Sequence, residues 1–168
     1  MDDETNDLDL DESLSDASAP EMPRERAERF YDRLRTRINR FVENKGSTVG
    51  KTAEFLLLVP DVFILLWRLL NDARVSGKNK VLLGSGVAYF VFPFDLLPEA
   101  FLGPIGYLDD LVLAVYILNR MLTDTDAAIL REHWSGSDDV LATIQKVLNA
   151  ADSLVGSDLL KRIKRMTK

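Results

Sequence analysis

The stretch PFDLLPEAFLGPIGYLDDL, residues 93–111, decides the fold because it bends the chain between two apolar arms. Residues 81–92 form the first arm and residues 111–118 form the second. Proline and glycine interrupt regular helix, so this stretch is predicted to be an elbow that joins two helices. We call residues 93–111 the elbow.

Four carboxylates lie in the elbow among apolar side chains, and helix termini explain them most simply. Pro93 predicts the end of the first arm, and Asp95 is placed to cap the turn that follows it. Asp109 and Asp110 fall in the first turn of the next helix, where the helix dipole favours anions. Together with Glu99, these acids could instead bind a hard divalent cation, or a pair could share a proton in an apolar pocket. No spacing matches a calcium-loop motif, so we predict no metal, no cofactor and no catalytic residue.

Composition divides the 168-residue chain into an acidic tail and a helical body. Residues 1–21 carry nine acids and no base, whereas residues 22–168 carry 18 acids and 21 bases. We expect the tail to be disordered, because it has too few large apolar groups to offset the entropy of ordering. The acidic start also lacks a secretory signal, which favours the cytoplasmic side. With no cysteine, the chain has no disulfide and no thiolate metal site.

Apolar residues recur at helical spacing throughout residues 22–168, and no run alternates with strand periodicity. The fold class is therefore predicted to be all-α, a helical bundle or a helical hairpin whose apolar arms can insert into a membrane. Lys45-Gly46-Ser47 predicts a helix stop, and Pro60 predicts a break near Val59. Residues 157–168 are predicted to be a basic amphipathic tail helix, and His133 an ordinary, partly exposed histidine.

Residues 22–44 are predicted to form a helix with an arginine-rich face. Three interpretations of that face remain open from the sequence: a solvated surface, a surface that lies on an anionic membrane, and a surface that meets nucleic acid. Further along the chain, small residues at positions 84–86 and 88 would let the first arm pack closely against another helix.

The elbow resembles the hallmark of the YkvA-like family, a small domain of unknown function. The matching residues are Pro93, Asp95, Leu96, Leu97, Pro98 and Glu99, followed by Gly106, Tyr107, Asp109 and Asp110. The resemblance covers about residues 62–122, and the chain departs from the hallmark at Phe94 and at residues 102–103. It implies membrane association, often with several passes, and it carries no established activity.

Arm length alone does not establish a membrane span. As a helix, residues 81–92 would be about 18 Å long, against a hydrocarbon core of roughly 30 Å. One arrangement is a hairpin that dips into or barely crosses the bilayer, with the acids at its tip and Lys78, Lys80 and Arg120 on the opposite, cytoplasmic side. The other is a soluble bundle with the elbow acids at its rim.

We therefore predict a non-enzymatic, membrane-associated helical module with both termini on the cytoplasmic side. The alternative is a soluble, cytoplasmic helical module that binds a protein partner, and a carboxylate metal site at the elbow is a distant third. Nucleic acid is not expected as a partner. The sequence identifies no protein partner and no oligomeric state.

Overall fold

A computed structural model describes residues 22–96 and 107–167, without the side chains of residues 45–49 and 92–96. Within these ranges the regular structure is helical throughout, which confirms the predicted all-α class. The helices are α1 (Arg24–Val49), α2 (Thr52–Leu56), α3 (Val59–Leu70), α4 (Gly77–Leu96), α5 (Tyr107–Met121), α6 (Ala127–His133), α7 (Val140–Leu154) and α8 (Ser157–Met166). The predicted acidic tail, residues 1–21, lies outside the described residues.

Helix α3 is the centre of the fold, because it packs against α1, α4 and α5. Its side chains are buried on nearly every side, which is the packing expected of a helix that is apolar all round. The ring of Phe63 lies 4.7 Å from the ring of Phe30 in α1 and 5.7 Å from the ring of Phe90 in α4, measured between centroids. Tilted and edge-on aromatic pairs of this kind each add about 0.5–1.5 kcal/mol beyond the area they bury.

The break between α2 and α3 lies close to the predicted position. Helix α2 ends at Leu56 and α3 begins at Val59, so Pro60 occupies the first turn of α3 rather than the interior of a longer helix. A proline is harmless there, because amides of the first turn have no partner within the helix. The predicted stop at Lys45-Gly46-Ser47 is wrong: α1 continues to Val49 and ends at Gly50, whose φ of 53° suits glycine.

The prediction that Pro93 ends the first arm is also wrong, because α4 continues to Leu96. Pro93 removes one hydrogen bond from the helix, but Phe90 is packed against Phe63 in the turn before it and holds that turn in place. Asp95 is accordingly a residue of the last turn of α4 and not the N-cap of a new turn. None of the helices in residues 22–96 and 107–167 is both long enough and apolar enough to cross a membrane. The described helices thus give no support to the predicted transmembrane helix.

Close packing of α3, α4 and α5 depends on a small residue in α4. A methyl group placed on Gly86 would lie 3.1 Å from Cδ1 of Leu66 in α3 and 3.2 Å from Cδ1 of Ile117 in α5. Both distances are shorter than an ordinary van der Waals contact, so the neighbouring side chains would have to move. Gly86 therefore lets α4 approach both helices.

We expect Gly86→Ala to lower the free energy of unfolding by about 1 kcal/mol. Overpacking costs about 1–3 kcal/mol and outweighs the gain of about 1 kcal/mol in helix propensity. Gly77→Ala is the matched control, since nothing lies within 4 Å of the added methyl group at the start of α4. Urea unfolding of both variants measures the difference, and equal midpoints would contradict the packing role of Gly86.

Candidate functional site

The structure places the elbow residues only in part. Pro98, Glu99 and Gly106 lie outside the described residues, and Pro93, Asp95 and Leu96 lie in the last turns of α4 without described side chains. Tyr107, Asp109 and Asp110 all lie in the first turn of α5, as the sequence predicts for the two acids. The side-chain geometry of the elbow is therefore seen only on the α5 side.

Asp110 is a buried carboxyl, with 9% of the residue exposed, whereas its neighbour Asp109 is exposed. Burial, and to a smaller extent the nearby charge of Asp109, raise the pKa of Asp110 to about 7. Asp109 is exposed to solvent on one side only, and partial desolvation by its neighbours also raises its pKa. A carboxylate stabilised by the helix dipole would have a lowered pKa, so desolvation outweighs the dipole at this helix start.

The pair Asp109 and Asp110 can hold one proton near neutral pH, because the buried carboxyl is costly to ionise beside a second acid. A hard cation would need more oxygen ligands than this pair supplies. In the part of the chain that the structure describes, no group of three or more His, Cys, Asp or Glu residues is placed to hold a metal ion.

A second polar cluster joins the connector between α3 and α4 to the end of α6. We call Asp72, Arg74, Glu132 and His133 the clamp. Nε2 of His133 lies 2.7 Å from Oδ2 of Asp72, and the Arg74 guanidinium donates to Asp72 and to Glu132, each at 2.7 Å. His133 is partly exposed, as predicted, and it also hydrogen-bonds to Asp72 as a member of this polar cluster, which the sequence did not predict.

Asp72 is the centre of the clamp, because its side chain is only 8% exposed and meets two partners. Hydrogen bonds from Arg74 and from His133 hold the pKa of Asp72 well below its usual range. Arg68 in α3 adds a third link, since its guanidinium donates to the carbonyl oxygen of His133 at 2.8 Å and to the hydroxyl of Ser135. Asp72 and His133 are 61 positions apart, and neither belongs to a motif, so sequence reasoning missed the cluster.

A surface groove lies where α4, α5 and α8 meet. It has a volume of about 390 Å³ and is lined by Lys78, Val81, Leu82, Arg120, Met166 and Thr167. We call this depression, defined by these six lining residues, the α4–α8 groove. Val81 is 66% exposed and Met166 is 56% exposed, while Lys78 and Arg120 supply positive charge. Exposed apolar side chains beside cations make this groove the candidate binding surface of the described residues.

The two basic helices, α1 and α8, each use their apolar face inside the protein. In α1, Phe30, Leu34 and Ile38 are at most 1% exposed. In α8, Leu160 and Ile163 are buried. Neither helix can lie on a membrane with those apolar faces while it stays packed, which removes the amphipathic-helix form of membrane binding that the sequence left open for residues 22–44.

Two comparisons with known proteins give a match, one confined to the elbow with its flanking helices and one over most of the chain. Residues 79–116, which cover most of α4, the elbow and part of α5, match the profile of a family described as protein of unknown function (DUF1232). The chain is also similar to the uncharacterized protein ORF9 of Methanothermobacter thermautotrophicus, with 24% identity over 131 residues, 71% of this chain and 90% of that protein. No solved structure matches the chain. The YkvA-like label stays a prediction.

Asp110→Asn should stabilise the protein at pH 8. Because the pKa of Asp110 is raised from 3.8 to about 7, its contribution to stability is fully present below pH 3.8 and is lost as the pH rises through 7. Each unit of pKa shift corresponds to about 1.4 kcal/mol. The free energy of unfolding of the variant at pH 8 should therefore exceed that of the wild type by at most a few times this amount. Urea unfolding from pH 4 to pH 8 measures this difference. Asp109→Asn is the control and should have a smaller effect. If the unfolding free energies of Asp110→Asn and the wild type changed with pH in parallel, the raised pKa of Asp110 would be contradicted.

Asp72→Asn should lower the melting temperature at neutral pH, because it removes the anion that Arg74 and His133 share. The lowered pKa of Asp72 means that its contribution is present above the usual pKa of 3.8 and is lost as the pH falls below it. Thermal unfolding followed by circular dichroism should show the two proteins converging in acid. Glu132→Gln, at the exposed rim of the clamp, should have a small effect, and an equally large one would assign the clamp's stability to Arg74 and Glu132 instead.

Proposed function

We propose that this protein is a non-enzymatic helical module that attaches to the surface of an anionic membrane through the α4–α8 groove. The observation that carries the proposal is the exposure of Val81 and Met166 beside Lys78 and Arg120. Apolar side chains that enter the headgroup region, together with cations that meet anionic lipid, are the two components of peripheral membrane binding.

Residues outside the groove add a further exposed aromatic side chain on α4 and further cations on α8. Tyr89 lies two helical turns after Val81 on α4 and is 52% exposed. An amphipathic aromatic ring of this kind suits the membrane interface. Helix α8 also carries four exposed cations, Lys161, Arg162, Lys164 and Arg165. Arg162 lies four residues before Met166 and so shares its side of the helix. Cations of α4, α5 and α8 therefore accompany the exposed apolar side chains of the groove.

Magnitudes favour reversible attachment. Full burial of a side chain such as Val81 or Met166 is worth about 1.5–3 kcal/mol, and each lysine or arginine near an anionic leaflet adds about 1 kcal/mol. The net charge of −6 does not oppose this binding strongly. Nine of the acids belong to residues 1–21, and residues 22–168 carry a net charge of +3.

Sedimentation of the full chain with lipid vesicles tests the proposal. We expect binding to vesicles of phosphatidylcholine and phosphatidylserine and much weaker binding to phosphatidylcholine alone. Val81→Ser combined with Met166→Ser should lower the partition coefficient at least about tenfold, which corresponds to 1.4 kcal/mol. Leu57→Ser is the matched control, because Leu57 is 45% exposed but lies outside the groove.

Two results would overturn the proposal. Failure of the full chain to sediment with anionic vesicles would favour the soluble protein-interaction module instead. Equal loss of binding in the double variant and in Leu57→Ser would mean that the groove is not the contact surface.

A further inference from the structure

Five arginines form one stripe along α1. Arg26, Arg29, Arg33, Arg37 and Arg40 are separated by three, four, four and three residues, a spacing that places them on the same side of a helix. Arg37 is half-buried and the other four are exposed. We call these five residues the arginine stripe. It runs beside the buried face of α1 for about 21 Å, at a rise of about 1.5 Å per residue.

The net positive charge of residues 22–168 comes from the segment that carries the stripe. Residues 22–44 hold seven arginines and four acids, whereas residues 45–168 hold 14 bases and 14 acids. Like charges three or four residues apart repel each other on a helix. The stripe is therefore a surface on which a bound anionic segment would relieve repulsion.

Two contacts that the stripe makes, one of Arg29 and one of Arg33, are weak enough to be exchanged. Arg29 lies 3.9 Å from Glu25, with the two side chains 74% and 88% exposed, and Arg33 lies 5.9 Å from the centre of the Phe30 ring. Exposed ion pairs contribute little to stability and are screened by salt. An incoming carboxylate can thus compete for these guanidinium groups.

An anionic segment immediately precedes, in the sequence, the helix that carries the stripe. The carbonyl oxygen of Met22 accepts a hydrogen bond of 3.0 Å from Nε1 of Trp67, which fixes the start of α1 against α3. Residues 1–21 precede this point and carry nine acids and no base. The most acidic segment of the chain is therefore tethered at the first residues of its most basic helix.

We propose that the arginine stripe is a docking surface for an acidic peptide and that its occupant is the chain's own residues 1–21. A flexible chain of 21 residues has a mean span of about 25 Å, comparable with the length of the stripe. Tethering over such a distance gives an effective concentration in the millimolar range, so contacts with only millimolar intrinsic affinity suffice for occupancy. The docked segment would screen the stripe from other polyanions.

A spin label tests the docking directly, because a chain without cysteine accepts a single label at Ser13→Cys. We expect the nitroxide to broaden the amide resonances of residues 26–40 at low ionic strength. The broadening should disappear at 1 M salt, where the Debye length falls to about 3 Å. Arg33→Gln combined with Arg40→Gln should reduce the docked population about fivefold.

Arg24→Gln combined with Arg35→Gln is the matched control, because it removes the same charge from the same helix on a side away from the stripe. This control should keep the broadening, and melting curves verify that both double variants fold. Three results would overturn the proposal: no broadening on α1, equal broadening on the basic residues of α8, or equal losses in the two double variants.

Discussion

Burial of α3 is the constraint on which the rest of the fold depends. A helix that is apolar on every side cannot face water, so α1, α4 and α5 must each contribute an apolar face to cover it. Phe63 shows how this is done, since its ring meets Phe30 of α1 and Phe90 of α4. Gly86 then permits α4 to lie close to both α3 and α5.

The demands of this core determine what is left on the surface. The apolar faces of α1 and α8 pack mainly inside the protein, so most of the basic residues of both helices remain on the surface. Helix α4 has the opposite character: it is apolar on more sides than its neighbours can cover, and Val81 and Tyr89 stay exposed. A surface that combines uncovered apolar groups with nearby cations follows from this mismatch and underlies the proposed membrane contact.

Electrostatics follow from the same packing. Asp110 is drawn into the core at the start of α5, where desolvation keeps a proton on the carboxyl near neutral pH. Asp72 has the reverse shift, because Arg74 and His133 hydrogen-bond to it at the junction between the α3–α4 connector and α6. Two aspartates of identical intrinsic acidity thus differ widely, and the difference is set by their neighbours.

The sequence by itself determined the all-α class, the break near Val59, the position of Asp109 and Asp110 in the first turn of α5, and the segregation of charge. Each of these features depends on local spacing or composition, so it can be inferred without knowledge of the tertiary structure. Only the tertiary structure decided that α4 passes through Pro93 and that His133 pairs with Asp72. It also decided that burial overrides the dipole at Asp110 and that Val81 and Met166 share a groove. These features depend on residues distant in sequence, and their burial and partners exist only after the helices have packed.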